Sequence, residues 1–195
     1  VIWIAPLLFL ASPKTADAHL VTTGLGPLYD GISHLLLSPD DLLGVLAMAL
    51  LAGLGGARHG RLSLLTLPPA WMLGGLLGLS APAELSWPVV NTLSLLVVGA
   101  LVAIDPKLPA AAVTAIAAAL GLVHGFLNGT AMAQAGGGAL ALVGICSTVF
   151  VLVALAAALV VSLRVPWTRI VVRVAGSWIA AIGLLMLGWA IRGTG

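Results

Sequence analysis

The chain has 195 residues, of which 61% are hydrophobic and 7% charged, and its mean hydropathy is +1.20. A soluble domain carries roughly 25% charged residues, so this composition excludes a separate water-soluble domain and predicts a single all-α domain, a polytopic membrane helix bundle. The net charge of +2 comes without a basic stripe interleaved with aromatics, which excludes a nucleic-acid surface, and the lone Cys146 excludes an intrachain disulfide or a paired-cysteine metal site.

In chain order, the first ten residues are apolar and Ala16-Asp17-Ala18 has the small-x-small form of a signal-peptidase site. Residues 1–18 therefore read as a signal peptide, the alternative being an uncleaved first span. Cleavage would expose His19 at the mature N-terminus as an optional metal-capture residue, although a histidine without a role is the plainer expectation there. Six apolar segments follow, near 40–54, 62–79, 89–104, 109–127, 139–163 and 170–191. At ~1.5 Å per residue most of them suffice for a ~30 Å hydrocarbon core. The first is short, so residues 31–37 are expected as an interfacial or re-entrant half-helix ahead of it, with the break at Pro39. Pro68 and Pro69 are expected to kink the second.

Ser38-Pro39-Asp40-Asp41 has the form of a helix start: serine as N-cap, proline at the first helical position, and acids facing the positive end of the helix dipole. The same stretch, with His34 just before it, also reads as half of a cation site, because imidazole and carboxylate oxygen are common ligands of divalent metals. The two readings are compatible.

Loop charges set the orientation. Arg58 and Arg61 follow the first segment, Lys107 follows the third, and Arg164, Arg169 and Arg173 lie in or beside the loop after the fifth, all on one side. Asp17, Asp30, Asp40, Asp41 and Glu84 fall on the other. The positive-inside rule makes the basic side cytoplasmic and puts both mature termini outside. Gly74 with Gly78, and Gly121 with Gly125 and Gly129, recur at the four-residue spacing that lets helices approach closely in lipid. Trp87, Trp167 and Trp189 near segment ends read as interface anchors. In the fourth segment His124 and Asn128, four apart, share a helix face near the outer surface, at the depth assigned to His34, Asp40 and Asp41. Ionisable groups inside a membrane are costly, which makes them functional candidates.

Two stretches carry a resemblance to a known family. His34-Leu-Leu-Leu-Ser-Pro-Asp-Asp41 and His124-Gly-Phe-Leu-Asn-Gly-Thr-Ala131 resemble the H-P-x-x-G-x-D-H and H-G-x-A-H-G-x-E motifs of the HupE/UreJ family, bacterial membrane proteins associated with hydrogenase and urease. His34 and Asp40 match the first motif, and His124, Gly125 and Gly129 match the second. Asp41 and Asn128 stand where the family has its second histidines, and Ala131 stands where it has a glutamate. The resemblance implies a signal peptide, six transmembrane helices and residence in the inner (cytoplasmic) membrane with periplasmic termini. It also implies permease rather than enzyme activity and no permanent cofactor, with a divalent metal as the transported ligand. His34, Asp40, Asp41 and His124 would be its ligands and Asn128 an auxiliary one. Nickel is the family's ion, with cobalt as a related choice. The more oxygen-rich set in this chain also suits harder ions such as manganese. No phosphate-binding loop of the G-x-x-x-x-G-K-[ST] form is present, so uptake would draw on a gradient, the membrane potential or cytoplasmic trapping. Beside metal and lipid, a second copy of the chain or a metalloenzyme-maturation protein is an expected partner. The competing expectation is a non-transporting accessory subunit with a degenerate site. A haem carrier using His34 and His124 stands further back, and a hydrolase further still, since no third group is in view to orient Ser33 or Ser38 with His34.

Overall fold

The computed structural model describes residues 23–81 and 88–192. The expected signal peptide, His19, Glu84 and Trp87 lie outside the described residues. Among those residues the chain is all-helical, with seven helices: α1 (Pro27–Leu37), α2 (Pro39–Leu54), α3 (Ala57–Leu79), α4 (Pro88–Ile104), α5 (Ala110–Gln134), α6 (Gly138–Ser162) and α7 (Pro166–Arg192).

Local chemistry sets the break between α1 and α2. Proline disfavours a helical conformation in the residue before it, and Ser38 is extended, with φ −92° and ψ 100°. The Ser38 amide closes α1 by donating to the His34 carbonyl (2.9 Å), while Pro39 opens α2 with Asp40 and Asp41 in its first turn. The expected serine cap is only partly realised: Ser38 occupies the N-cap position, but its side chain makes no capping hydrogen bond. The two helices meet at a bend of 75°. By length and composition α3, α5, α6 and α7 can each cross a membrane, the bent α1–α2 pair makes up to a fifth crossing, and α4 is a shorter apolar helix of 17 residues. The chain is a multi-pass membrane protein. Pro68 and Pro69 do not interrupt α3, which runs on as one helix.

Three pairs of helices pack at close range, and glycine is the reason in each. Along α3 and α5, Gly121, Gly125 and Gly129 face the carbonyls of Leu67, Trp71 and Gly75, while Gly74 and Gly78 face those of Leu122 and Phe126. A Cβ on Gly121 would lie 2.7 Å from the Leu67 carbonyl oxygen, well inside van der Waals contact. The two glycine series singled out from the sequence thus interlock with each other. In the α4–α7 pair, Gly99 lies against Ala180 and Gly183 against Leu96; between α1 and α6, Gly31 lies against Ala141 and Gly144 against Leu28. The central α2 packs against both α4 and α6. Its residues Val45, Ala47, Met48, Ala49 and Ala52 are wholly buried.

The two ends of the bundle differ in charge. At one end Arg169 forks onto the Asp105 carboxylate, with Nη2 donating at 2.8 Å, Arg173 donates to the Ala103 carbonyl (2.8 Å), and His59 Nε2 lies 3.2 Å from the Leu108 carbonyl oxygen. The ends of α4 and the starts of α3 and α7 therefore meet where the sequence puts its basic loops. At the opposite end the start of α2 meets α4 and the second half of α5.

Candidate functional site

Three helices turn the polar positions of a buried face toward a common point. On α2 that face is Asp41, Gly44, Val45 and Met48; on α5 it is Leu120, Gly121, His124 and Asn128. On α4 it passes through Asn91 and Ser94 to buried Leu95, Val98 and Val102. All three follow the three- and four-residue helical repeat. Each polar group thus rides into the interior on a face that is otherwise apolar or glycine.

Asp41, 3% exposed, and His124, fully buried, form the centre. His124 Nδ1 lies 2.7 Å from Asp41 Oδ1, and the amide of Asn128 donates to Asp41 Oδ2 at 2.7 Å. A buried charge survives only when its lone pairs are matched, and both oxygens of this carboxylate are. The second nitrogen of the imidazole, Nε2, lies 2.7 Å from Ser94 Oγ. Ser94 also lies 2.7 Å from the Asn91 carbonyl oxygen, to which it donates. A hydroxyl has one hydrogen, so two states fit this geometry. With the hydrogen on Asn91 O, Ser94 accepts from Nε2–H; with the hydroxyl turned toward Nε2, His124 is neutral and carries its proton on Nδ1 toward Asp41.

Beside this chain the Asn91 amide donates to Asp40 Oδ2 at 2.8 Å. Each asparagine turns its N–H toward a carboxylate, which can only accept, so its own oxygen points away. Asn91 Oδ1 and Asn128 Oδ1 are both buried without a hydrogen-bond partner. Two amide oxygens next to two carboxylates, unmatched in an apolar bundle, make a strongly electronegative corner. Trp71 of α3 closes the other side, its ring 5.5 Å from that of His124 and tilted by 40°. Gly44 packs against the edge of the imidazole, where a Cβ would meet His124 Cε1 at an ordinary contact distance of 3.6 Å.

Of the residues named from the sequence, Asp41, His124 and Asn128 come together in one hydrogen-bonded group, and Asp40 is held by Asn91 alongside. His34 is buried on α1, across the break. Among the described residues no three His, Cys, Asp or Glu side chains converge as a metal-holding group, so His34 does not complete such a set with Asp41 and His124. Sequence reading missed the contribution of α4 and the wall formed by Trp71. Asn91 and Ser94 did leave a signal: two polar residues three apart, one helix face, inside an apolar segment.

The order Ser94–His124–Asp41 matches that of an acyl-transfer triad, but its setting differs. Ser94 sits within α4 and donates to a carbonyl of its own helix. The helical N–H groups around it are engaged in the backbone ladder, which leaves no pair of donors for an oxyanion. The arrangement fits cation binding better. A ligating histidine usually gives one N–H to a carboxylate and offers the other nitrogen to the ion, and Asp41 stands at that position relative to His124.

A family model described as HupE / UreJ protein matches residues 7–186. Neither the curated proteins nor the solved structures contain a significant match to the chain.

Proposed function

The chain belongs to the HupE/UreJ family, and from that premise we propose that it is a permease carrying a divalent metal cation, nickel or a related ion, across the bacterial inner membrane. The observation that carries this reading is the buried Asp41–His124 pair, 2.7 Å apart, beside the unpartnered Asn128 amide oxygen. Asp41 fixes the imidazole, Nε2 takes the ion in place of its contact with Ser94, and the Asn128 and Asn91 oxygens with Asp40 supply hard donors around it. His34, at the end of α1, guards the approach from the outer side. Few anionic ligands suit a site that must release its ion again, since affinity rises with ligand charge and rigidity. In this reading α1–α2 and α4 also cross, giving six crossings with the basic loops cytoplasmic and both termini periplasmic. The protein carries out no covalent chemistry and holds no permanent cofactor.

The test is nickel accumulation by cells expressing the wild type beside His124→Ala, Asp41→Asn and His34→Ala, with membrane levels matched. Accumulation lost in the first two variants supports the permease. Wild-type accumulation in both would overturn it in favour of a non-transporting accessory subunit. The triad order gives a second reading a specific handle: a serine-directed fluorophosphonate would label Ser94 in a hydrolase and leave it untouched in a permease.

A further inference from the structure

One face of α3 runs from the proposed site to the basic end of the bundle. His59, Ser63, Leu67 and Trp71 are spaced four apart, so they line up along the helix. Ser63 and Trp71 are wholly buried, yet Ser63 Oγ and Trp71 Nε1 have no hydrogen-bond partner, and His59 Nδ1 is buried and unpartnered as well. Helical hydroxyls in lipid normally turn back onto their own helix, as Thr114 does to Ala110 and Thr148 to Gly144. Ser63 does not. Between these groups buried Pro68 lacks the N–H that would bond the carbonyl of Leu64, which frees a backbone acceptor at mid-depth. Trp71 packs on the His124 ring at the upper end, and His59 reaches the loop after α4 at the lower.

Unmatched polar groups in an apolar interior are costly, and here they recur on one stripe rather than at scattered points. We propose that this face of α3 is the hydrated inner half of the ion path: the cation leaves His124 past Trp71, meets the freed Leu64 carbonyl and the Ser63 hydroxyl with its accompanying water, and exits at His59. Leu67, wholly buried between Ser63 and Trp71, is the apolar constriction that separates this hydrated half from the site when no ion passes. The inference rests on the permease reading for its direction, but the presence of water at Ser63 is independent of uptake.

Full-length protein in sealed inverted membrane vesicles, with Cys146 replaced by serine, tests it. Ser63→Cys is exposed from the basic-loop side to a charged, membrane-impermeant methanethiosulfonate, beside Leu65→Cys, whose native side chain faces outward and is 69% exposed. The expected result is modification of the residue 63 thiol at least tenfold faster than that at 65. Equal rates, or an unreactive thiol at 63, would overturn the path whatever His124 variants do to uptake. In a second measurement Ser63→Val, with wild-type membrane levels, lowers nickel uptake at least tenfold while nickel still protects the folded protein against heat; unchanged uptake would also overturn the path. Unchanged uptake in Ser63→Val beside lost uptake in His124→Ala overturns the route alone, whereas wild-type uptake in His124→Ala removes the permease reading itself.

Discussion

At the scale of single residues, the Asp41–His124 pair holds by mutual satisfaction rather than by raw attraction. Removing one partner leaves the other buried and unmatched, a loss of ~1–3 kcal/mol for an unsatisfied buried polar group. Asp41→Ala and His124→Ala are therefore each expected to lower the unfolding temperature in detergent. The double variant should fall short of the sum by ~0.5–3 kcal/mol, the coupling expected for groups in direct contact. Additive losses would mean that the 2.7 Å contact carries no coupling. Asp41 acts through His124 by holding Nδ1 and so fixing where Nε2 points, whereas Ser94 competes with the ion for Nε2. Asp41→Asn is expected to weaken metal affinity ~10- to 100-fold, as loss of a supporting partner at a ligand does, and Ser94→Ala is expected to bind at least as tightly as the wild type. The difference should appear in the KM of uptake. His124 and Asp41 were legible as chemistry in the sequence because ionisable groups in an apolar run stand out. Their contact was not, since 83 residues separate them.

At the scale of elements, the glycine contacts fix the distance at which α3 and α5 run, and so where Trp71 stands against His124. Gly125 faces the Trp71 carbonyl so closely that even a methyl group collides with backbone. Gly125→Ala must push the helices apart, at ~1–3 kcal/mol for an overpacked contact. Gly188 has nothing within 4 Å of where its Cβ would be. Thermal unfolding monitored by gel filtration should show Gly125→Ala destabilised and Gly188→Ala unchanged; equal behaviour would contradict the close packing. The four-residue glycine spacing was readable because it lays small residues on one face. That α3 and α5 are partners, rather than each pairing elsewhere, was not. The break at Ser38–Pro39 was readable for a local reason, the restriction that proline places on its predecessor. Pro68 and Pro69 leave α3 one continuous helix, since each proline removes a single hydrogen bond from the backbone ladder and the rest of the ladder carries on.

At the scale of the whole molecule, the charge asymmetry of the loops gives the bundle a basic end and an acidic end, and the site lies toward the acidic one. A divalent ion moving inward through such a bundle gains ~4.6 kcal/mol per 100 mV, from ~2.3 kcal/mol per elementary charge. Nickel uptake should therefore fall severalfold when a protonophore collapses the membrane potential, with ATP levels held constant, and recover when a potassium diffusion potential is imposed. Uptake indifferent to the potential would require cytoplasmic trapping as the driving force.

The sequence alone determined the membrane setting, the broken first helix and the identity of the costly groups. Each of these depends on composition or on neighbours within a few residues. Tertiary structure alone decided that Asp41 meets His124, that α4 brings Asn91 and Ser94 beside them, and that His34 stands apart. Those contacts depend on which glycine faces find each other and on the angle at which α1 meets α2. Both are settled by packing between distant segments, which no local pattern encodes.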